Sequence, residues 1–193
     1  MKLILASGSP RRAELLGRLG LQFEVLPAQI DESLLPGLTA EEQVLRLARE
    51  KALAVRDNVN EDAVILSADT VVVLDGEILG KPKDEADAFR MLRLLSGREH
   101  LVMTGVTVLS PRGEESICEK THVHFRPLND GEIRAYIRSG EPMDKAGAYG
   151  IQGKAALFVS ALSGDYFNVV GLPLCASGAM LRRAGIPILE DET

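Results

Sequence analysis

The chain has 193 residues, 46% of them hydrophobic, and a formal net charge of −6 from 28 acidic and 22 basic side chains. This length and composition suit one folded domain, and the negative charge argues against sequence-independent binding of duplex nucleic acid, which usually needs a basic face. No apolar run reaches the roughly 18 residues of a membrane span, and "MKLILASGSP" is too short for a signal peptide, so we expect one domain over residues 1–193, in the cytoplasm, without membrane or nucleic-acid partners.

Strand-like and helix-like patterns alternate along the chain, which indicates an α/β fold. Residues 3–6 predict the first strand, and Ser9-Pro10 is typical of a helix start, so a helix is expected over residues 10–19. After a short strand in "LQFEVLP", the clearest helix runs over residues 39–57, because Thr39 and Glu42 have the spacing of a capping box.

The rest of the chain continues the alternation. A long apolar β-type run over residues 63–82 turns at Asp75-Gly76, a strong hairpin signal. A helix over 84–97, two strands around the turn Pro111–Gly113 and a helix over 129–140 follow. Residues 141–153 predict a small-residue loop, 155–164 a strand and 173–185 the last helix, with no internal repeat or linker.

Two arginines follow the predicted helix start, where the helix dipole is positive and acidic side chains are expected. Solvated surface arginines would explain them at about 0.3–1 kcal/mol each. Alternatively, free backbone N–H groups and the guanidinium groups of Arg11 and Arg12 converge on an anion. Ser7 and Ser9 would add hydroxyl donors to such an anion-binding site.

Two charged residues lie in apolar surroundings. Lys51 falls in the apolar stripe of the second helix, four residues after Leu47, so its ammonium either extends to solvent or binds an anion. Asp69 interrupts "AVILSADTVVVL", where an ionised carboxylate needs a partner, a metal ion or backbone donors. Asp31 and Glu32 are candidates for a second acid, although acids of a surface loop are an ordinary finding.

The segment "GEPMDKAGAYGIQG" has four glycines together with Lys145 and Gln152, a composition typical of a ligand-binding loop. Lys81 adds a cation near a strand end. Cations for phosphates combined with carboxylates for a hard divalent ion are the chemistry of a nucleoside triphosphate site.

Other motifs are missing or incomplete. The chain has no GxxxxGK[ST] loop, no GxGxxG after a strand, and neither HExxH nor GxSxG. His122, His124 and Cys118 share one face of a predicted strand, but no third segment completes a metal site, so we interpret them as ordinary strand residues.

Nine motifs along the chain resemble, in order, those of the Maf family of nucleotide pyrophosphatases: "LASGSPRRAELL", "IDE", "LAREKA", "SADTVV", "LGKP", "SGREH", "TGV", "GEPMDKAGAYGIQG" and "GDYFNVVGLPL". The resemblance implies an α/β fold with a mixed, twisted β-sheet flanked by helices and two lobes around a substrate cleft. It also implies a homodimer with a house-cleaning role, which cleaves nucleoside triphosphates between the α- and β-phosphates with a divalent cation, Mg²⁺ or Mn²⁺.

The resemblance also assigns roles to residues of this sequence. Asp69 matches the general base and Glu32 its companion acid, and both are the predicted metal ligands. The dTTP- and UTP-preferring subgroup has Arg, Thr and Gln at three specificity positions, which correspond here to Arg12, Thr70 and Gln152. The predicted substrate-binding residues are Ser7, Ser9, Arg11, Arg12, Lys51, Thr70, Lys81, Lys145 and Gln152.

An amide at position 152 would accept from a pyrimidine N3–H and donate to O4, a pattern that cytosine reverses.

Two alternatives to a pyrophosphatase stay open: a non-catalytic nucleotide-binding regulator of cell division or septum formation, and a Mg²⁺-dependent phosphatase that acts on nucleotides. The acid pair Glu32 and Asp69 argues against the regulator. The product distinguishes the other two functions, because a phosphatase releases orthophosphate and a pyrophosphatase releases pyrophosphate. The cellular substrate is either unmodified dTTP and UTP or modified pyrimidine nucleotides.

Overall fold

The computed structural model describes residues 1–189, so the last four residues of the predicted domain lie outside this range. Within it, helices and strands alternate as the sequence predicts. The strands are β1 (Leu3–Leu5), β2 (Phe23–Val25), β3 (Val64–Leu74), β4 (Glu77–Leu79), β5 (Glu99–Ser110), β6 (Gly113–Phe125) and β7 (Val159–Ser163). The α-helices are α1 (Pro10–Gly17), α2 (Ala40–Arg56), α3 (Glu85–Leu95), α4 (Asp130–Ile137), α5 (Tyr166–Val170) and α6 (Leu174–Arg183).

The strands form one seven-stranded mixed sheet, in the order β2-β1-β3-β5-β6-β7, with β4 paired to β3. β1 is parallel to both β2 and β3, with Leu3 opposite Phe23 on one side and Val64 on the other. β4 is antiparallel to β3, and β7 is antiparallel to β6. The predicted α/β fold with a mixed sheet and helices is therefore confirmed.

Local sequence signals place most of these elements correctly. Thr39 and Glu42 form the predicted capping box of α2. The β3–β4 hairpin turns at Asp75 and Gly76, which both have positive φ (52° and 84°), as a tight two-residue turn requires.

Two local predictions are wrong. Residues 155–157, expected in a strand, belong to a short 3₁₀ turn over Lys154–Leu157, and β7 begins only at Val159. The turn is closed by local hydrogen bonds, from the Ala156 N–H to the Gly153 carbonyl and from the Phe158 N–H to the Ala155 carbonyl. Alanine has a low strand propensity, so these turn bonds prevail over strand pairing here. The short helix α5 was not predicted.

The chain divides into two compact units. Unit 1 contains residues 1–69, 104–119 and 171 onward, and unit 2 contains residues 70–103 and 120–170. The boundary between them on β3 falls between Asp69 and Thr70. Among the described residues, no helix has the length and apolar character that crossing a membrane would require.

Unit 1 is built around the contact of α2 with the sheet. Its apolar core contains small and branched side chains that lie in β1, α2, β3 and β5 or directly beside β1 and β3: Ile4, Ala6, Ala52, Val55, Ala63, Ile65 and Leu109. The backbone of α2 lies so close to β5 that a Cβ on Gly105 would be 2.3 Å from the Val44 carbonyl oxygen. The absence of a side chain at this position therefore brings α2, and the side chains it carries, directly against the sheet.

Unit 2 has an aromatic core. Phe125, Tyr149 and His100 pack edge to face with ring centroids 4.8–5.4 Å apart, and Phe158 packs against both Phe125 and Tyr136. The His100 Nε2 and Tyr149 hydroxyl form a hydrogen bond of 2.8 Å in this core. Burial, with a smaller contribution from the charge of His124, lowers the pKa of His100 to about 4, so the ring is neutral at physiological pH.

Candidate active site

Several polar groups lie close together in and beside the turn between β1 and α1. Ser9 is the N-cap residue of α1, and Pro10 is its first residue, as predicted. The buried Ser7 hydroxyl accepts hydrogen bonds from the Ser9 backbone N–H (3.2 Å) and from Nη1 of Arg12 (3.3 Å). β1 is parallel to β3 and pairs with Val64–Leu66, so this turn begins beside the stretch of β3 that leads to Asp69. Ligands of α/β proteins commonly bind at the carboxyl ends of parallel strands.

Lys51 bridges the two predicted catalytic acids. Its ammonium lies 2.7 Å from Oδ1 of Asp69 and 2.9 Å from Oε1 of Glu32. The side chains of Lys51 and Asp69 are only 8% and 11% exposed, whereas that of Glu32 is 48% exposed. The alternative that Lys51 extends to solvent is therefore wrong, and unit 1 brings together Lys51, Asp69 and Glu32 from a helix, a strand and a loop.

A buried hydroxyl holds β3 against α2 next to this group. Ser67, which is fully buried and two residues before Asp69, donates to the Ala48 carbonyl of α2 at 2.6 Å. Ala48 lies three residues before Lys51, so the bond ties the two backbones together near the ion pair. The geometry of Lys51 and Asp69 is thus set by backbone packing as well as by their charges.

Arg12 is held by the protein itself. Its Nε donates to the Gly171 carbonyl at 2.7 Å, in addition to the bond with Ser7. Burial lowers the pKa of Arg12 and the neighbouring charge of Arg11 lowers it further, whereas the charges of Asp69 and Glu32 raise it. The positive charge at the start of α1 therefore interacts with two carboxylates of the same unit.

The remaining predicted substrate-binding residues belong to unit 2. The Gly147 N–H donates to the Gly80 carbonyl at 3.0 Å, which places Lys81 and Lys145 on two bonded segments. Lys81 is exposed, while the Lys145 ammonium donates to the Glu141 carbonyl and to Oδ1 of Asp144, both at 2.6 Å. Unit 2 thus brings two of the predicted phosphate-binding cations into one region.

Glu141 organises the loop that carries Gln152. Its carboxylate accepts from the Tyr136 hydroxyl at 3.0 Å and from the Lys154 N–H at 3.1 Å. A Cβ on Gly153 would lie 2.1 Å from Oε1 of Glu141, so a side chain at this position would displace the carboxylate. Gln152, the residue before it, is exposed, while Thr70 is partly buried near the start of the unit 2 part of β3.

The side chains that could bind a metal ion determine which kind of ion fits here. Among residues 1–189 no group of three or more His, Cys, Asp or Glu side chains is placed to hold a metal ion. Glu32 and Asp69 nevertheless share the ammonium of Lys51, so two hard oxygen donors lie close together. Mg²⁺ commonly uses one or two carboxylates and takes its other ligands from substrate phosphates and water, so these two residues fit such an ion.

Two further residues of this region were not singled out from the sequence. Gln43 and Arg46, on the same helix as Lys51, bind the backbone of the loop that contains Glu32. Gln43 carries a signal that would have identified it, because an amide stands beside Val44 on the buried face of an amphipathic helix. Arg46 carries no such signal, since a long cation is ordinary on the outer part of a helix.

Known proteins match the sequence of this chain over nearly its whole length. Residues 2–184 match the family model described as Maf-like protein. A protein of Geobacillus sp. named dTTP/UTP pyrophosphatase is 54% identical over 184 residues, which cover 95% of this chain and 98% of that protein. A protein of Moorella thermoacetica with the same name is 52% identical over 189 residues, 97% of both chains.

Solved structures share the fold at low sequence identity. The Staphylococcus aureus Ham1 protein has a TM-score of 0.53 at 14% identity and covers 95% of this chain and 99% of that one. A HAM1 protein from Coxiella burnetii has a TM-score of 0.51 at 17% identity, with coverage of 95% and 100%. These two structures support the fold assignment alone.

Proposed function

The chain belongs to the family of Maf-like proteins, and we propose that it hydrolyses dTTP and UTP to the nucleoside monophosphate and pyrophosphate. The observation that carries this proposal is the group formed by Lys51, Asp69 and Glu32, a buried ammonium between two carboxylates. A relative 54% identical over nearly its full length is named dTTP/UTP pyrophosphatase, which supports the choice of substrates.

Asp69 is the proposed general base. Its Oδ1 accepts from Lys51, so we assign the proton of the attacking water to Oδ2. The water oxygen forms a bond to the α-phosphorus, its proton passes to Asp69, and the bond from the α-phosphorus to the bridging oxygen breaks. Pyrophosphate leaves with that oxygen, and nearby cations stabilise its negative charge.

Arg12 and Lys51 are the cations of unit 1 in this scheme. Both are already held in position, Arg12 by Gly171 and Ser7, and Lys51 by the two acids. Fixed cations need little reorganisation when charge develops on a phosphate, which is the main source of catalysis in phosphoryl transfer. From the family resemblance we also assign Lys81 and Lys145 to phosphate binding, and Ser7, Ser9 and Arg11 to the substrate as additional donors.

Glu32 and Asp69 are the proposed ligands of a divalent cation, Mg²⁺ or Mn²⁺. Such an ion neutralises phosphate charge and polarises the phosphorus–oxygen bonds. Two carboxylates are enough for this ion when phosphate oxygens complete its ligands. The Lys51 ammonium contacts an oxygen of each acid, so it keeps the two carboxylates close together.

Gln152 is the proposed base-reading residue, with Thr70 and Arg12 as the other specificity positions. The Gln152 amide matches both the N3–H donor and the O4 acceptor of uracil and thymine. Its loop is anchored by Glu141 through Tyr136 and Lys154, which limits the positions that the amide can adopt.

The experiment is a panel of dTTP, UTP, CTP and purine triphosphates, with and without Mg²⁺ or Mn²⁺, in which phosphate is measured before and after treatment with inorganic pyrophosphatase. We expect metal-dependent pyrophosphate from dTTP and UTP and at least about a 10²-fold loss in Asp69→Asn, the size expected when a general base is removed. Direct release of orthophosphate would indicate a phosphatase. Binding without turnover would indicate a regulator. Modified pyrimidine triphosphates in the same panel show whether they are preferred over dTTP and UTP.

Two further expectations accompany the proposal. A homodimer predicts twice the mass of a 20.9 kDa chain in light scattering. A cytoplasmic enzyme predicts that the protein fractionates with the cytoplasm of the source cells, where nucleoside triphosphates are found.

A further inference from the structure

Glu32 lies in a segment without regular secondary structure. Residues 26–39, between β2 and α2, form neither helix nor strand. The Glu32 side chain is 48% exposed, so burial does not hold it in place. The ion pair with Lys51 fixes the carboxylate, whereas the position of the backbone depends on contacts to the segment itself.

Gln43 binds this segment from α2. Its Nε2 donates to the Leu35 carbonyl at 2.5 Å, and its Oε1 accepts from the Leu35 N–H at 3.2 Å. One amide side chain thus satisfies both polar groups of a single residue, as a neighbouring β-strand would. Gln43 is 1% exposed, and a buried amide is destabilising unless its hydrogen bonds are made, so the contact fixes Leu35 firmly.

Arg46 adds a second contact next to Glu32. Its Nη2 donates to the Ser33 carbonyl at 2.8 Å and to Oε1 of Gln43 at 3.2 Å. Its Nη1 donates to Glu50 at 2.9 Å, one turn further along α2, which orients the guanidinium. The backbone is therefore held at the first and third residues after Glu32, from the helix that also carries Lys51.

We infer that Gln43 and Arg46 are positioning residues for catalysis, which hold Glu32 where it meets Lys51 and Asp69. Neither residue needs to touch the substrate, because each acts through the backbone at Ser33 and Leu35. The inference rests on the proposed function, since it assigns Glu32 to the reaction. A carboxylate already in position spends less time in conformations that cannot hold a metal ion or orient a water.

The test is a double-mutant cycle with an exchange measurement. Gln43→Leu removes both hydrogen bonds at similar volume. We expect faster hydrogen exchange at the Leu35 amide, a kcat for dTTP about 10- to 100-fold lower, and a KM changed less than about twofold. In a Glu32→Gln background the same substitution should change kcat by less than about twofold, because residues that act as a unit are not additive.

Arg49→Met is the matched control on the same helix, because its guanidinium pairs with Glu114. It should leave both kcat and Leu35 exchange unchanged. Arg46→Met is a second route if Gln43→Leu does not fold, with a smaller loss of kcat that also depends on Glu32.

An equal loss of kcat in both backgrounds, or faster Leu35 exchange without any loss of kcat, overturns the positioning role. These outcomes differ from a failure of the proposed function, in which the wild-type protein would release no pyrophosphate from dTTP and the inference would fall with it.

Discussion

Lys51→Met tests whether the buried ammonium holds the two acids in the ligand-free protein. The substitution keeps an apolar stem of similar length and removes the charge that lies 2.7 Å from Asp69 and 2.9 Å from Glu32. Removing one partner of a buried ion pair typically costs about 3–5 kcal/mol.

The lower end of that range, about 3 kcal/mol, applies here. Glu32 is half exposed and regains water, and the charge of Arg12 is close enough to Asp69 to interact with it. For a chain of this size each kcal/mol shifts Tm by about 2–4 °C, so we expect Tm to fall by about 6–12 °C without nucleotide.

The assay is calorimetric unfolding at neutral pH, with two comparison variants. The double variant Lys51→Met with Asp69→Leu replaces the pair by apolar groups, so Tm should return to near the wild-type value while hydrolysis stays lost. Arg49→Met, which breaks an exposed pair with Glu114, should leave Tm nearly unchanged, because exposed ion pairs contribute little to stability. Added Mn²⁺ should raise the Tm of Lys51→Met more than that of the wild type. An unchanged Tm in Lys51→Met would mean that the two acids need no ammonium to hold them in place.

Three further predictions address other parts of the molecule. Arg12→Ala should raise KM for every triphosphate in steady-state assays. Loss of the hydrogen bond to Gly171 should also lower the free energy of unfolding by about 1 kcal/mol. An unchanged KM would show that Arg12 does not bind the substrate. His100 has a pKa of about 4 when folded and 6.5 as a free side chain, so its contribution to stability is full above pH 6.5 and about 3 kcal/mol is lost as the pH falls to 4. Denaturation at several pH values should show that His100→Phe loses this part of the pH dependence, and an unchanged slope would contradict the assignment. Gln152→Ala should lower kcat/KM for dTTP and UTP by about 5- to 100-fold, the loss expected when the bound base encloses the amide pairing, and should change CTP and purine triphosphates little. A uniform loss across the whole panel would mean that the residue serves the phosphates or the loop.

Local physics made part of this molecule predictable. A capping box, an Asp-Gly turn with positive φ and an apolar stripe depend on residues close in sequence, and each is found where the sequence places it. Lys51 and Asp69 were recognisable for a related reason, because a charge within an apolar pattern requires a partner. Their pairing with each other is a finding of the structure.

Features that depend on tertiary contacts could not be predicted from the sequence. The position of Glu32 depends on two side chains of α2, Gln43 and Arg46, which bind the backbone of the Glu32 loop. No periodic pattern in the sequence predicts such contacts. Lys154–Leu157 has the apolar composition of a strand, yet it closes a 3₁₀ turn. In both cases the outcome depends on which hydrogen bonds the surrounding structure offers.

Hydrolysis of dTTP in ¹⁸O-labelled water shows whether water attacks the α-phosphorus and cleaves the bond between the α- and β-phosphates. Mass spectrometry of the products locates the label. We expect one ¹⁸O atom in the thymidine monophosphate and none in the pyrophosphate, with the signal absent in Asp69→Asn. Label in pyrophosphate or in orthophosphate would mean attack at the β- or γ-phosphorus and would contradict the proposed mechanism.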